Sequence, residues 1–299
     1  MRVVVTGASG FVGRQVVSAL RSLGHSVISV GRGDYTLNDS QWIRADILNP
    51  GMAETLAAAA GADALLHLAW TTRHGLYWND LTNLEWLSAT VELVTAFAKR
   101  GTRRVCVVGT CFEYDWPEDS DCSESFTPIS AHTLYDAAKS SCRRVLDRVA
   151  GQFGFSFAWG RLFYLYGPGE HPDRLVASVC RSVLAGENAR CSSGNAVRDF
   201  MDVRDAGAAL ARLTVSNLQG SINIAAGEKA SVGYVATMIG ELAARPDLIR
   251  LGAIPDRVGD PPRVTADVTR LRCELGFEAR PLRLGLQEAL NYWSDKKGS

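Results

Sequence analysis

Apolar positions along this chain recur with two periods, and the switches between them outline the fold. Val3-Val4-Val5 opens as a buried strand, after which Val12, Val16, Val17 and Leu20 repeat at helical spacing. Gly24-His25 ends that helix, and Val27-Ile28-Ser29-Val30 reads as a second strand. A short apolar segment precedes Ala45-Asp46-Ile47, an alanine-rich helix is predicted over 52–60, and a buried strand over 63–70 runs into a loop. Leu84, Leu87, Val91, Val94 and Ala98 alternate steps of three and four, an apolar stripe on one helix. A strand follows over 104–108, then a helix over 132–149 with Ala138, Cys142, Val145 and Val149 on its packing face, then a strand over 155–165. This alternation predicts an α/β fold, a doubly wound parallel sheet with helices on both faces. Beyond residue 166 the rhythm breaks. A turn at Tyr166-Gly167-Pro168-Gly169, a helix near 174–185 and a last short strand over 221–225 are followed by a proline- and arginine-rich remainder. The expected division is residues 1–169 and 203–227 in the sheet domain, with 170–202 and 228–299 forming a smaller, discontinuous lobe.

Composition narrows the class. Hydrophobic residues at 46% and charged residues at 21% are ordinary for a globular protein, so the 299 residues can bury a large core. The 32 basic and 32 acidic side chains cancel, which argues against nucleic acid or an anionic membrane as partner. Seven cysteines (106, 111, 122, 142, 180, 191 and 273) are odd in number and form no Cys-x-x-Cys pair. A disulfide scaffold or a zinc site is therefore not expected. Met1-Arg2 leads straight into the first strand without a signal-peptide core, and no apolar run approaches the ~20 residues of a membrane span. The expected location is the cytoplasm.

The candidate chemistry begins at Thr6-Gly7-Ala8-Ser9-Gly10-Phe11-Val12-Gly13, which joins the first strand to the first helix. Strand, glycine turn and helix together are the context of a Rossmann-type dinucleotide site. Glycine lets the backbone turn tightly, and backbone N–H groups at the positive end of the helix can approach a pyrophosphate. The residue closing the second strand of such a fold meets the adenosine ribose, and an acid there accepts from both hydroxyls. Here Gly31 holds that position, Arg32 follows, and Asp34 comes a few residues too late. A missing carboxylate beside a guanidinium favours the 2′-phosphate of NADP(H) over NAD(H), because the fork of Arg32 matches a phosphate. A solvated loop charge is the competing reading of Arg32.

Tyr135 and Lys139 lie four apart on the helix over 132–149, hence on one face. A phenol with pKa near ~10 is a poor proton carrier at neutrality, and a neighbouring ammonium is expected to bring it down. His67, in the strand over 63–70, reads as a packed core histidine. Residues 70–78 hold two tryptophans, a tyrosine and a histidine, which suits a loop closing over a substrate or simply packing.

The spacing Gly-x-x-Gly-x-x-Gly, followed in order by Tyr135-x-x-x-Lys139, resembles the extended short-chain dehydrogenase/reductases, the NAD-dependent epimerase/dehydratase family. The resemblance extends over nearly the whole chain. Gly109-Thr110-Cys111 with Glu113-Tyr114 is similar to the segment whose hydroxyl bonds the reacting sugar oxygen. Arg161-Leu162-Phe163 with Tyr166-Gly167-Pro168-Gly169, Arg198-Asp199-Phe200 with Val203 and Asp205, and Arg257-Val258-Gly259-Asp260 look like three further family segments. The resemblance implies a catalytic trio of Thr110, Tyr135 and Lys139. It implies that Gly7, Ser9, Gly10, Phe11, Val12, Gly13, Arg32, Asp46, Ile47, Leu68, Ala69, Phe163 and the Tyr135–Lys139 pair meet the cofactor, Asp46 and Ile47 flanking its adenine. It implies a nucleotide-diphosphate sugar held by Trp70, Cys111, Tyr164, Arg174, Arg198, Arg257 and Asp260, with Arg198 on the diphosphate. It also implies a homodimer through a four-helix bundle of residues 81–99 and 132–149.

Three departures refine the expectation. Gly31 replaces the NAD-selecting acid. Cys111-Phe112 stands where sugar 4,6-dehydratases carry Asp-Glu, which removes the acid and base that expel water. Tyr164 stands where many epimerases carry Asn. The expected activity is an NADPH-dependent 4-ketoreductase acting on a nucleotide-linked 4-keto-6-deoxy sugar. An epimerase that retains NAD, and a non-catalytic dinucleotide-sensing regulator, are the alternatives.

Overall fold

A computed structural model describes residues 1–33, 41–71 and 75–297. Asp34 and the histidine of the aromatic loop, His74, lie outside the described residues. In chain order the elements are β1 (Arg2–Thr6), α1 (Phe11–Ser22), β2 (Ser26–Gly31), β3 (Gln41–Arg44), α2 (Met52–Ala60), β4 (Ala64–His67), α3 (Thr82–Lys99), β5 (Arg104–Thr110), α4 (Leu134–Phe153) and β6 (Ser156–Leu162). They continue with β7 (Tyr164–Tyr166), α5 (Leu175–Ala185), β8 (Ala189–Arg190), β9 (Val197–Asp202), α6 (Val203–Val215), β10 (Gly220–Ile224), β11 (Lys229–Ser231), α7 (Val232–Leu242), β12 (Ile249–Arg250), β13 (Arg263–Val264) and α8 (Leu282–Lys297).

Seven strands form one parallel sheet in the order β10-β6-β5-β4-β1-β2-β3. A sheet buried on both faces needs strands that are apolar throughout, and Val3, Val4 and Val5 are each fully buried. One face packs on α1 and α6, the other on α2, α3 and α4. The chain runs outward from β1 to β3, then returns to β4 on the other side of β1. That reversal opens a crevice at the carboxyl ends of β1 and β4, where doubly wound folds bind ligands.

A third core joins α5, α7 and α8 around a small sheet ordered β11-β9-β13, with β7 paired to β9. The strand expected over 155–165 is therefore two strands. β6 stays in the large sheet, and after Phe163 the chain crosses to β9, carrying Tyr164 into the small one. Residues 221–225 do not hold the last strand either, since β11, β12 and β13 follow with only two or three residues each. Segments so short carry no readable alternation.

Two helices depart in part from the faces expected of them. On α3 the buried face is Asn83, Trp86, Thr90, Leu93 and Phe97; of the apolar stripe only Val94 is buried, and Leu84 is 51% exposed. On α4, Ala138 and Cys142 are buried as expected and Leu146 and Ala150 join them, while Val145 is 42% exposed and Val149 half-buried. No helix among the described residues is long and apolar enough to cross a membrane.

Candidate active site

The crevice is a cavity of about 1170 Å³, running from the glycine turn past β4 and β5 to the small sheet. Small-molecule sites span roughly 300–1,000 Å³, so there is room for more than one ligand. Its cofactor end is made largely of backbone. A Cβ on Gly13 would lie 2.1 Å from the Gly7 carbonyl oxygen, and one on Gly7 would lie 2.9 Å from the Ala69 nitrogen. Glycine at both lets the turn close on α1 and on the loop after β4. Arg14 donates the first helical hydrogen bond, to the Gly10 carbonyl, so the amides of Phe11, Val12 and Gly13 head α1 without helical acceptors. A Cβ on Gly10 would touch only the Gly7 carbonyl and otherwise enter the cavity. This cradle fits a pyrophosphate, and the amides of residues 11–13 would hold it. Ser9, Gly31, Arg32, Asp46, Ile47, Leu68, Ala69 and Phe163 line the same cavity. Arg32 is exposed.

The middle of the cavity brings Thr110, Tyr135 and Lys139 together. Thr110 ends β5 and caps the short turn that follows. Its hydroxyl accepts from the Phe112 N–H at 3.3 Å and is hydrogen-bonded to the Tyr135 side chain. Lys139 Nζ donates to the Val108 carbonyl at 2.9 Å and sits 3.8 Å from the centre of the Trp70 ring. Tyr77 lies edge-on to Tyr135 with ring centres 4.9 Å apart, and Trp70 and Trp78 close the enclosure.

Burial sets the protonation states here, and it reverses one expectation. Desolvation holds the Tyr135 phenol well above its ordinary value, only partly offset by its bond to Thr110. The same burial brings Lys139 itself down to about 8. An ammonium pinned between a carbonyl and an indole face is poorly placed to stabilise a phenolate. At neutral pH Tyr135 is a phenol, a proton donor.

Beneath Thr110 lies a buried polar network. Glu113 accepts from the Thr110 N–H at 2.9 Å, from Trp159 Nε1 at 2.9 Å and from Arg161 Nε at 2.9 Å. Arg161 donates on to the Tyr114 hydroxyl, and Tyr114 to Asn223 Oδ1, each at 2.8 Å. Gly109 makes room for this, since a Cβ there would meet Trp159 Nε1 at 2.0 Å and Glu113 Oε1 at 2.2 Å. His67 belongs to another buried set, within 2.8 Å of Thr6 Oγ1 and 3.0 Å of Thr90 Oγ1. Burial lowers its pKa to about 3, so it is a neutral core group, as the sequence suggests.

At the far end Trp70, Cys111, Tyr164, Arg174, Arg257 and Asp260 line the cavity. Arg198 does not. It is 2% exposed and its guanidinium pairs with Asp260 Oδ2 at 2.6 Å, behind the Tyr164 ring. Expected on a diphosphate, Arg198 here faces Asp260 and Tyr164 instead of the open cavity. A motif fixes a residue's place on a strand, and β9 turns this one inward against Asp260. Arg257, exposed and 5.3 Å from the centre of the Trp78 ring, and Arg174 are the guanidinium groups of this end that line the cavity. Sequence reasoning did not find Glu170 in the same wall. Burial pushes its carboxyl up to about 8, and Oε2 has no hydrogen-bond partner.

The parallel sheet, the glycine cradle at its switch point and the Thr–Tyr–Lys group in one cavity define a dinucleotide-binding enzyme of the short-chain dehydrogenase/reductase kind. A model of the NAD dependent epimerase/dehydratase family matches residues 3–225, and the chain belongs to that family. The chain is 30% identical to MoeE5, solved in complex with UDP-glucose and NAD, with a TM-score of 0.85 over 100% of both chains. It is 26% identical over 245 residues to dTDP-6-deoxy-L-talose 4-dehydrogenase (NAD(+)) of Aggregatibacter actinomycetemcomitans, spanning 78% of this chain and 87% of that one. It is 27% identical to dTDP-4-dehydro-6-deoxy-D-allose reductase of Streptomyces bikiniensis over 97% of this chain and 95% of that one.

Proposed function

We propose that this protein is an NADPH-dependent 4-ketoreductase acting on a nucleotide-diphosphate 4-keto-6-deoxy sugar. The observation that carries this reading is the wall beside Thr110 and Tyr135. There Cys111 is buried with its thiol pKa well raised, and Phe112 offers a ring, so these two positions supply no acid–base pair to eliminate water. An apolar wall suits a sugar that has already lost its 6-hydroxyl. The nicotinamide dinucleotide supplies the hydride. Thr110 hydrogen-bonds the substrate's carbonyl oxygen, and Tyr135, held as a phenol, gives that oxygen its proton. Lys139 positions the nicotinamide ribose end. The enclosing rings of Trp70, Tyr77 and Trp78 exclude water from the transfer. Arg257 and Arg174 meet the diphosphate. Gly31 and the cavity-lining Arg32 favour the 2′-phosphate of NADP(H).

The test is direct. Adding a nucleotide-linked 4-keto-6-deoxyhexose oxidises NADPH stoichiometrically, and deuterium from labelled NADPH appears at C4 of the product. Interconversion of two hydroxy sugars without net cofactor use would instead support a second reading, an epimerase that retains NAD. The NAD held by MoeE5, beside UDP-glucose, favours that alternative. The dehydrogenase and reductase names of the two dTDP-sugar relatives favour the first.

Three further readings accompany the activity. The exposed apolar face of Leu84 and Val145, with half-buried Leu87, Val91 and Val149, supports a homodimer through α3 and α4. Residues 1–169 and 203–227 would act as the cofactor domain, and 170–202 and 228–299 as the substrate lobe. The free thiols of all seven cysteines fit a reducing, cytoplasmic setting.

A further inference from the structure

Gly31 closes β2 at the cofactor end of the cavity, and its own backbone gives no reason for glycine. Its φ lies outside the left-handed region, where any residue would be at ease. What excludes a side chain is Trp42. A Cβ on Gly31 would lie 2.7 Å from Trp42 Cη2 and 3.0 Å from Cζ2, closer than carbon atoms approach without displacement. The next neighbour, Ser9 Oγ at 3.4 Å, is at an ordinary distance.

The strand register produces this contact. β2 and β3 run parallel with Ser29 beside Trp42 and Val30 beside Ile43. Side chains alternate along a strand, so Ser29, Gly31 and Trp42 share one face while Val30 and Ile43 share the other. The hydrophobic cores agree: Val30 and Ile43 pack in one, Trp42 in the opposite one. A large side chain reaches its diagonal neighbour across such a ladder, and the indole extends over residue 31. Its ring is tethered, because Trp42 Nε1 donates to the Gly33 carbonyl at 3.0 Å. Turning the ring aside breaks that bond.

We propose that Trp42 is a specificity-determining residue: its indole, packed on Gly31, keeps the ribose end of the cofactor site free of a carboxylate. The inference rests on the cofactor reading above. It adds that selectivity is a property of the pair and cannot be changed at position 31 alone. In the presence of Trp42, an aspartate at 31 has no room to seat beneath the ribose hydroxyls. With a smaller residue at 42 it has.

The experiment measures dissociation constants for NADH and NADPH, with thermal midpoints, for the wild type, Gly31→Asp, Trp42→Phe and the double variant. Phenylalanine keeps an aromatic core residue but removes the two ring atoms that crowd position 31. The expected result is that Gly31→Asp alone gains no NADH affinity and lowers the midpoint. The double variant should bind NADH at least tenfold more tightly than Trp42→Phe. As a folding control, Gly31→Ala should lower the midpoint in the wild type and be tolerated beside Trp42→Phe. Equal gains in NADH affinity from Gly31→Asp with and without Trp42 would overturn the proposal, as would a Gly31→Ala midpoint indifferent to residue 42. A wild type that prefers NADH refutes the cofactor reading instead. The coupling between positions 31 and 42 is read separately from that preference.

Discussion

The two ends of the cavity are built from different materials. The cofactor end is local and made of backbone: one turn of eight residues supplies the glycines and leading amides, and the loop after β4 closes against it. The reacting end is made of side chains gathered from distant places. Glu113, from the turn after β5, Trp159 and Arg161, from β6, and Asn223, from β10, come from three segments, and together they fix the strand end that carries Thr110. A backbone-built site fails when a side chain is added. A side-chain-built site fails when one is removed, because its partners stay buried without hydrogen bonds.

The largest effect should come from the reacting end, at the group that moves the proton. Tyr135→Phe should reduce turnover by about 10²–10⁴-fold while the dissociation constant for the dinucleotide is kept. Steady-state kinetics beside a binding titration checks both halves of this statement. A variant with near wild-type turnover would remove Tyr135 from the chemistry and leave the comparison without its centre.

Next comes the network beneath. Glu113→Ala leaves Arg161, 1% exposed, with no carboxylate, and breaking a buried pair in this way costs about 3–5 kcal/mol. Chemical denaturation should register most of that loss. Glu113→Gln keeps an acceptor for the Thr110 amide and should cost less. If both variants unfold at the wild-type midpoint, the network does not support the site.

How far each end could be read from the sequence follows from the same difference. Contiguous residues carry the glycine turn, so Gly7, Gly10 and Gly13 announce it through their spacing between a strand and a helix. Tyr135 and Lys139 announce themselves through a step of four. The helical spacing does not say that Lys139 is held by the Val108 carbonyl and the Trp70 face, so the direction of the Tyr135 shift was not legible. Arg198 shows the same limit. Its motif is plain, yet its orientation depends on Asp260, 62 positions away. Val145 was misplaced because apolar residues lie on both sides of α4, and spacing alone does not choose the inward one. The crowding of Gly31 by Trp42 needs the β2–β3 register, which no periodicity supplies.

At the cofactor end, exposed charge should act on one ligand and not the other. Arg32→Ala should weaken NADPH by roughly 1.5–3 kcal/mol, about one to two decades, with little change for NADH. Fluorescence titration with both dinucleotides measures the difference. Equal loss for the two would mean that Arg32 meets the shared pyrophosphate and not the 2′-phosphate.

The smallest effect should separate the two arginines of the substrate end. Arg257 is exposed and leans on Trp78, and an exposed cation–π contact or ion pair contributes only about 0.5–1 kcal/mol. Arg257→Ala should therefore raise KM for the nucleotide sugar by roughly two- to fivefold, a factor that shrinks as salt screens the diphosphate. Stability should hardly move, since no buried partner is abandoned. Arg198→Ala should behave the other way. It removes a buried guanidinium that pairs with Asp260 and packs on Tyr164, so thermal stability falls first and KM follows only through the displaced Tyr164. Raising the salt concentration should leave that second KM change in place, because it arises from geometry and not from long-range attraction. If Arg198→Ala instead showed an unchanged thermal midpoint and a strongly salt-dependent KM, Arg198 would have to swing out of its pair with Asp260 to meet the substrate's phosphates.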